Sequence, residues 1–91
     1  MNFKIMRMCK QDAMSAVPTD SIKIDLAKTT PKLREKDFQV DTSDVMLIAR
    51  NRDYEVTIFR NGRLMMGPVK GKEHAGKIAE IIYSLCIEER T

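Results

Sequence analysis

At 91 residues, 43% hydrophobic and 32% charged, the chain has the size of one domain and enough apolar side chains for one modest core. Sixteen basic against thirteen acidic residues leave a net charge of +3, well short of the dense, clustered excess that phosphate contacts demand. Cys9 and Cys86 stand at opposite ends, there is a single histidine, and no apolar run approaches the ~20 residues of a membrane span, so a disulfide scaffold, a zinc motif and a membrane helix are excluded. Two reduced thiols in a cytoplasmic protein are expected.

Asn2 to Met8 alternates weakly, with Phe3 and Ile5 apolar beside Lys4 and Arg7, as a short strand or an arm would. Ala13 to Val17 is small and apolar and stops at Pro18, which suits a short edge strand, and Thr19 and Asp20 supply turn chemistry. Residues 1–20 are therefore expected as a loosely packed arm or short edge strand of a single domain, 1–91. Ile22, Ile24 and Leu26 alternate with Lys23 and Asp25 at a period of two, while a helix starting near Asp25 competes for the same residues. Thr30 before Pro31 makes an N-cap and first-position pair, which predicts a short helix from Pro31 to Lys36 anchored by Leu33.

Asp37 to Val40 is a candidate strand, Asp41-Thr42-Ser43-Asp44 reads as a turn, and Val45 to Arg50 is rich in strand formers. Asn51-Arg52-Asp53 closes a hairpin into Tyr54 to Arg60. Asn61-Gly62 is the strongest local signal: both residues tolerate positive φ, and a two-residue type I′ turn fits. That turn pairs Arg60 with Arg63, Phe59 with Leu64, Ile58 with Met65 and Thr57 with Met66. Gly67-Pro68 ends the pairing, because proline has no N–H for the ladder. A final helix is predicted over Lys72 to Glu88, with Ala75, Ile78, Ala79, Ile82, Leu85 and Cys86 on one face and Ile81 widening the stripe. Glu88 and Glu89 oppose the helix dipole, so its last turn is expected to fray.

The fold expected from these pieces is α+β: an antiparallel sheet of three to four strands (Val45–Arg50, Tyr54–Arg60, Arg63–Val69 and Asp37–Val40). The long C-terminal helix packs on one face, and a short helix lies in the N-terminal half. The two-residue turn places Tyr54, Val56, Ile58 and Met65 on the face that receives the helix. It places Glu55, Thr57, Phe59, Leu64 and Met66 on the other. The second set is too apolar to stand in water as a cluster, so either the first forty residues cover it, the favoured expectation, or a partner does.

No constellation amounts to an active site. Asp41, Asp44 and Asp53 are explained by turn chemistry. Arg50 and Arg52 belong to one turn and Arg60 and Arg63 to the next, at opposite ends of the strands, so they form no single patch. The segment from Gly67 to Lys72 lacks the spacing of a phosphate-binding loop and carries Glu73 where Ser or Thr belongs. No general base is identifiable beside Cys9, and His74 lies on the helix. The expectation is a non-enzymatic protein-binding module without metal or cofactor, monomeric or a weak homodimer. Its contact residues would be Phe59, Arg60, Arg63, Leu64 and Met66.

The order of the pieces resembles the C-terminal region of the ThiF/MoeB/HesA-type adenylyltransferases, which activate ubiquitin-like sulfur carriers. The residues that carry it are Cys9 to Ser15, Pro18, and Tyr54-Glu55-Val56-Thr57-Ile58-Phe59-Arg60-Asn61-Gly62-Arg63, with Gly67, Ala75 and the helix Ile78 to Leu85 following. Asn61 stands where that pattern has Asp, and Lys10-Gln11 where it has Gly-Arg. Only residues 54–63 match closely, and the nucleotide-binding domain of those enzymes is not in this sequence. The resemblance implies an accessory domain whose partner is an adenylyltransferase or a ubiquitin-like carrier. The hairpin and helix are also similar to half of a TATA-binding-protein fold. That similarity implies a nucleic-acid-binding alternative in which the open sheet face meets DNA and Phe59 wedges into a minor groove.

Overall fold

The computed structural model describes residues 2–7 and 12–89. In chain order they form β1 (Phe3–Arg7), β2 (Met14–Pro18), α1 (Leu26–Glu35), β3 (Gln39–Thr42), β4 (Met46–Arg50), β5 (Glu55–Phe59), β6 (Leu64–Gly67) and α2 (Lys72–Leu85). The strands make one antiparallel sheet in the order β1-β2-β6-β5-β4-β3. The sheet thus has six strands rather than three or four. The difference lies in β1 and β2: in place of the expected loosely packed arm or short edge strand, residues 3–7 and 14–18 are two strands that pair with each other, and β2 pairs with β6 through Met14↔Met66 and Ala16↔Leu64. That pairing joins segments far apart in the chain, and no local pattern encodes it.

α1 is longer than the predicted Pro31–Lys36 helix and begins earlier. Asp25 is its N-cap, with a carboxylate that accepts the Lys28 N–H at 3.0 Å. Of the two readings of Ile22 to Leu26 the helix therefore prevails, and the strand survives only as an isolated bridge between Ile24 and Glu88. Pro31 lies inside the helix on its exposed side. The Thr29 and Thr30 hydroxyls donate back to the Asp25 and Leu26 carbonyls at 2.8 and 2.9 Å. The helix closes in a Schellman motif: Phe38 N–H donates to Leu33 O and Asp37 N–H to Arg34 O, with Asp37 at φ 66°.

The β5–β6 turn differs from the two-residue expectation in a way that reorganises both faces. Gly62 N–H donates to Phe59 O, and Phe59 N–H to Arg63 O, both at 2.9 Å, with Gly62 at φ 89°. This is a three-residue loop, Arg60-Asn61-Gly62, ending in a left-handed glycine bulge. The extra residue moves the register by one, to Ile58↔Leu64, Thr57↔Met65 and Val56↔Met66. Because side chains alternate along a strand, a one-residue slip exchanges the faces. Leu64 and Met66 accordingly join Val56 and Ile58 in the core at 0% and 2% exposure, and Met65 goes to the opposite face.

Both helices lie on the face of Val56 and Ile58, α1 over β3 and β4, α2 over β1 and β2. Between them and the sheet sit Ala16, Leu47, Ala49 and Leu64 from the strands, with Leu33, Ile78, Ala79 and Ile82 from the helices. Burying each large side chain contributes on the order of 1.5–3 kcal/mol before chain entropy. Tyr83, absent from the predicted helix stripe, is buried, whereas Ile81 at its expected margin is half exposed. α2 ends at Leu85 rather than Glu88, and residues 86–89 run extended along the start of α1. Asp25 N–H donates to Ile87 O, Glu89 N–H to Lys23 O, and Arg60 pairs with Glu89 at 3.0 Å.

Candidate functional site

With both helices on one side, no described element lies over the other side of the sheet. Residues 1–40 were expected to cover it; of those described, β1, β2 and β3 enter the sheet as strands, and α1 takes the helix side. The uncovered face is built from alternate positions of five strands. Phe59 opposes Met46, and Thr57 opposes Ile48 on one side and Met65 on the other; Met65 in turn opposes Ser15. Val17, Met46, Ile48, Thr57, Phe59 and Met65 are each half-buried, and Met6 at the β1 edge is 52% exposed. Ser15, between Met6 and Met65 in register, is almost wholly covered. Ala13 and Gly67 present little or no side chain, and beside them lies a hollow of about 280 Å³ lined also by Glu55, Thr57 and Met65.

The charges on this face are largely matched. Arg50 bonds Glu55 at 3.2 Å and Asp41 at 3.6 Å, all three on solvent-exposed positions of neighbouring strands. Such exposed pairs add little stability. Their consequence is electrostatic: the cation at the centre of the β3–β5 side is neutralised by its own neighbours. Among the described residues, Lys4 on β1 and Arg63 beside Phe59 are the remaining cations of this face, at the opposite end of the strands from Arg50.

The five residues expected to contact a partner do not share one surface. Phe59 lies on the open face. Arg60 and Arg63 are exposed at the β5–β6 turn, Arg60 held by Glu89. Leu64 and Met66 point into the helix-covered core. In their place the structure puts Val17, Met46, Ile48 and Met65, which sequence reasoning missed. Their signal was the parity of each strand: Met46 and Ile48 alternate with buried Leu47 and Ala49.

Among the described residues, His74 and Cys86 are committed elsewhere or silenced. His74 Nδ1 accepts the Lys70 N–H at 3.0 Å, and the ring lines a cavity of about 660 Å³ with Asp12, Asp53 and Tyr54. Burial pushes the Cys86 thiol up to about 12, which leaves it a poor nucleophile at neutral pH. The Tyr83 hydroxyl is likewise raised, by burial first and by neighbouring Cys86 second. Cys9 lies outside the described residues. Among those described, no three His, Cys, Asp or Glu side chains come together to hold a metal ion, and no helix is long and apolar enough to cross a membrane.

Fold and site together define an α+β sheet domain with one helix-covered face and one open, apolar, charge-matched face. Comparison with protein-family models, with curated proteins and with solved structures found no match.

Proposed function

We propose that the chain is a non-enzymatic docking module that meets a protein partner through the open face of its sheet. The observation that carries this reading is the row Met46, Ile48, Thr57, Phe59 and Met65, partly exposed and contiguous, with Arg50 already neutralised by Asp41 and Glu55. An apolar, uncharged centre with a polar rim is the anatomy of protein–protein contacts rather than of phosphate binding. The partner class implied by the resemblance is an adenylyltransferase or the ubiquitin-like carrier it loads. The test is titration of labelled protein with both candidates, followed by amide shifts. Val17, Ile48, Thr57, Phe59 and Met65 are expected to move, and Phe59→Glu or Met65→Glu to abolish the response without unfolding. Unchanged resonances along β4, β5 and β6 overturn the reading.

The second reading, nucleic-acid binding by the same face, draws on Phe59 flanked by Arg63 and, farther along the row, Lys4. It requires affinity that falls with salt in proportion to the phosphates neutralised. A flat or absent salt response to a DNA duplex disposes of it.

A further inference from the structure

α1 and its C-cap carry four cations, Lys28, Lys32, Arg34 and Lys36, against Glu35 within the helix and Asp25 and Asp37 at its two ends. Three of those cations, Lys28, Lys32 and Lys36, stand at intervals of four residues and are exposed. At 1.5 Å rise per residue they form a row about 12 Å long on one side of the helix. The ion pairs among the described residues are Arg50–Asp41, Arg50–Glu55 and Arg60–Glu89, and none involves this row.

Helix stability does not account for the row. Like charges one turn apart repel. Lys28 occupies the first turn, where the dipole favours carboxylates; the carboxylate at that end is the N-cap Asp25, which accepts the Lys28 N–H. Lys32 and Lys36 near the other end suit the dipole; Lys28 does not. The adjoining row carries exposed Ala27 and Pro31, two small apolar side chains one turn apart. A cationic row beside a small apolar seam matches an amphipathic helix bearing carboxylates at the same repeat. A phosphodiester backbone would use the cations and leave the seam idle.

We propose that the outer surface of α1 docks an acidic amphipathic helix of a partner protein, its carboxylates on Lys28, Lys32 and Lys36 and its small apolar residues on Ala27 and Pro31. α1 lies on the opposite side of the sheet from the open face, so this contact is independent of the one there and both can be made at once.

The test uses a synthetic amphipathic peptide with glutamates at four-residue spacing, titrated into the labelled full chain at low ionic strength. Saturable shifts confined to residues 27–36 are expected, weakening as salt rises. K28E/K32E/K36E, verified as folded by circular dichroism, is expected to weaken binding about tenfold or more. K72E/K77E on α2 changes it less than about twofold. Should the reversal variant fail to fold, K28Q/K32Q/K36Q carries the same comparison. Phe59→Glu leaves peptide binding intact, which separates this contact from the open face. Equal binding by the lysine variants, shifts scattered over the whole surface, or tighter binding of a DNA duplex to α1 than of the peptide would each overturn the proposal.

Discussion

The Tyr83 hydroxyl donates to the Gly62 carbonyl at 2.7 Å, which ties α2 to the β5–β6 turn across the buried layer. The ring packs against Phe3 of β1 with centroids 5.1 Å apart, so one side chain joins the last helix, the edge hairpin and the turn that sets the sheet register. The hydroxyl has a partner because a buried phenol without one would cost a desolvated donor.

Tyr83→Phe keeps the ring and removes the donor, which takes from the carbonyl of buried Gly62 its tyrosine partner. A loss of about 1–2 kcal/mol is expected in urea denaturation, with the slope of the transition unchanged. No change in midpoint would mean that water replaces the hydroxyl.

Gly62 itself admits no side chain. It sits at φ 89°, and an added Cβ would lie 2.6 Å from Ile22 Cδ1 and 2.8 Å from Pro18 Cγ. Gly62→Ala therefore combines left-handed backbone strain with overpacking. It is expected to cost at least about 2 kcal/mol by thermal or chemical denaturation.

The register of the β5–β6 hairpin is testable by a neighbouring pair of truncations. Leu64→Ala removes a wholly buried side chain and should cost about 2–5 kcal/mol. Met65→Ala, on the half-exposed face, should cost less than about 1 kcal/mol. A two-residue type I′ turn would reverse that order, so the comparison reads the register without a structure.

Alkaline pH should weaken the fold through Cys86 and Tyr83. Unfolded, they ionise near their ordinary values of 9.0 and 10.0; folded, Cys86 is pushed up to about 12 and Tyr83 is raised as well. The unfolded state gives up these protons first. The stabilisation from Cys86 is therefore whole below about pH 9 and lost as pH climbs towards 12, by up to about 1.4 kcal/mol per pH unit, and Tyr83 adds to the decline above about pH 10. Denaturation midpoints measured across that window should fall, and Cys86→Ala should flatten the first part of the decline. A thiol so placed should also alkylate slowly at neutral pH in the native state.

Much of the local structure was legible in the residues. The periodicity of Ala75, Ile78, Ala79 and Ile82 specified the long helix, and β4 and β5 lie where their strand formers predicted them. Pro68 marked the end of β6 because a residue without an N–H cannot extend a ladder. These features depend on neighbours within a turn or two, which is the range over which propensity and period act.

Three things required the folded chain. The β1–β2 hairpin becomes part of the sheet only because β6 offers an unpaired edge to β2, a contact between distant segments. For Ile22 to Leu26 the local pattern left a strand and a helix starting near Asp25 in competition, and in the fold the backbone of Lys23 and Asp25 bonds residues 89 and 87 from the far end of the sequence. At Asn61-Gly62 the dipeptide permits turns of two or three residues, and packing decides between them. The three-residue form sends both Leu64 and Met66 inward beneath the helices, whereas the two-residue form would send only Met65. Alternation then carries that single choice down the whole strand, which is why the composition of the open face followed from tertiary packing and not from local pattern.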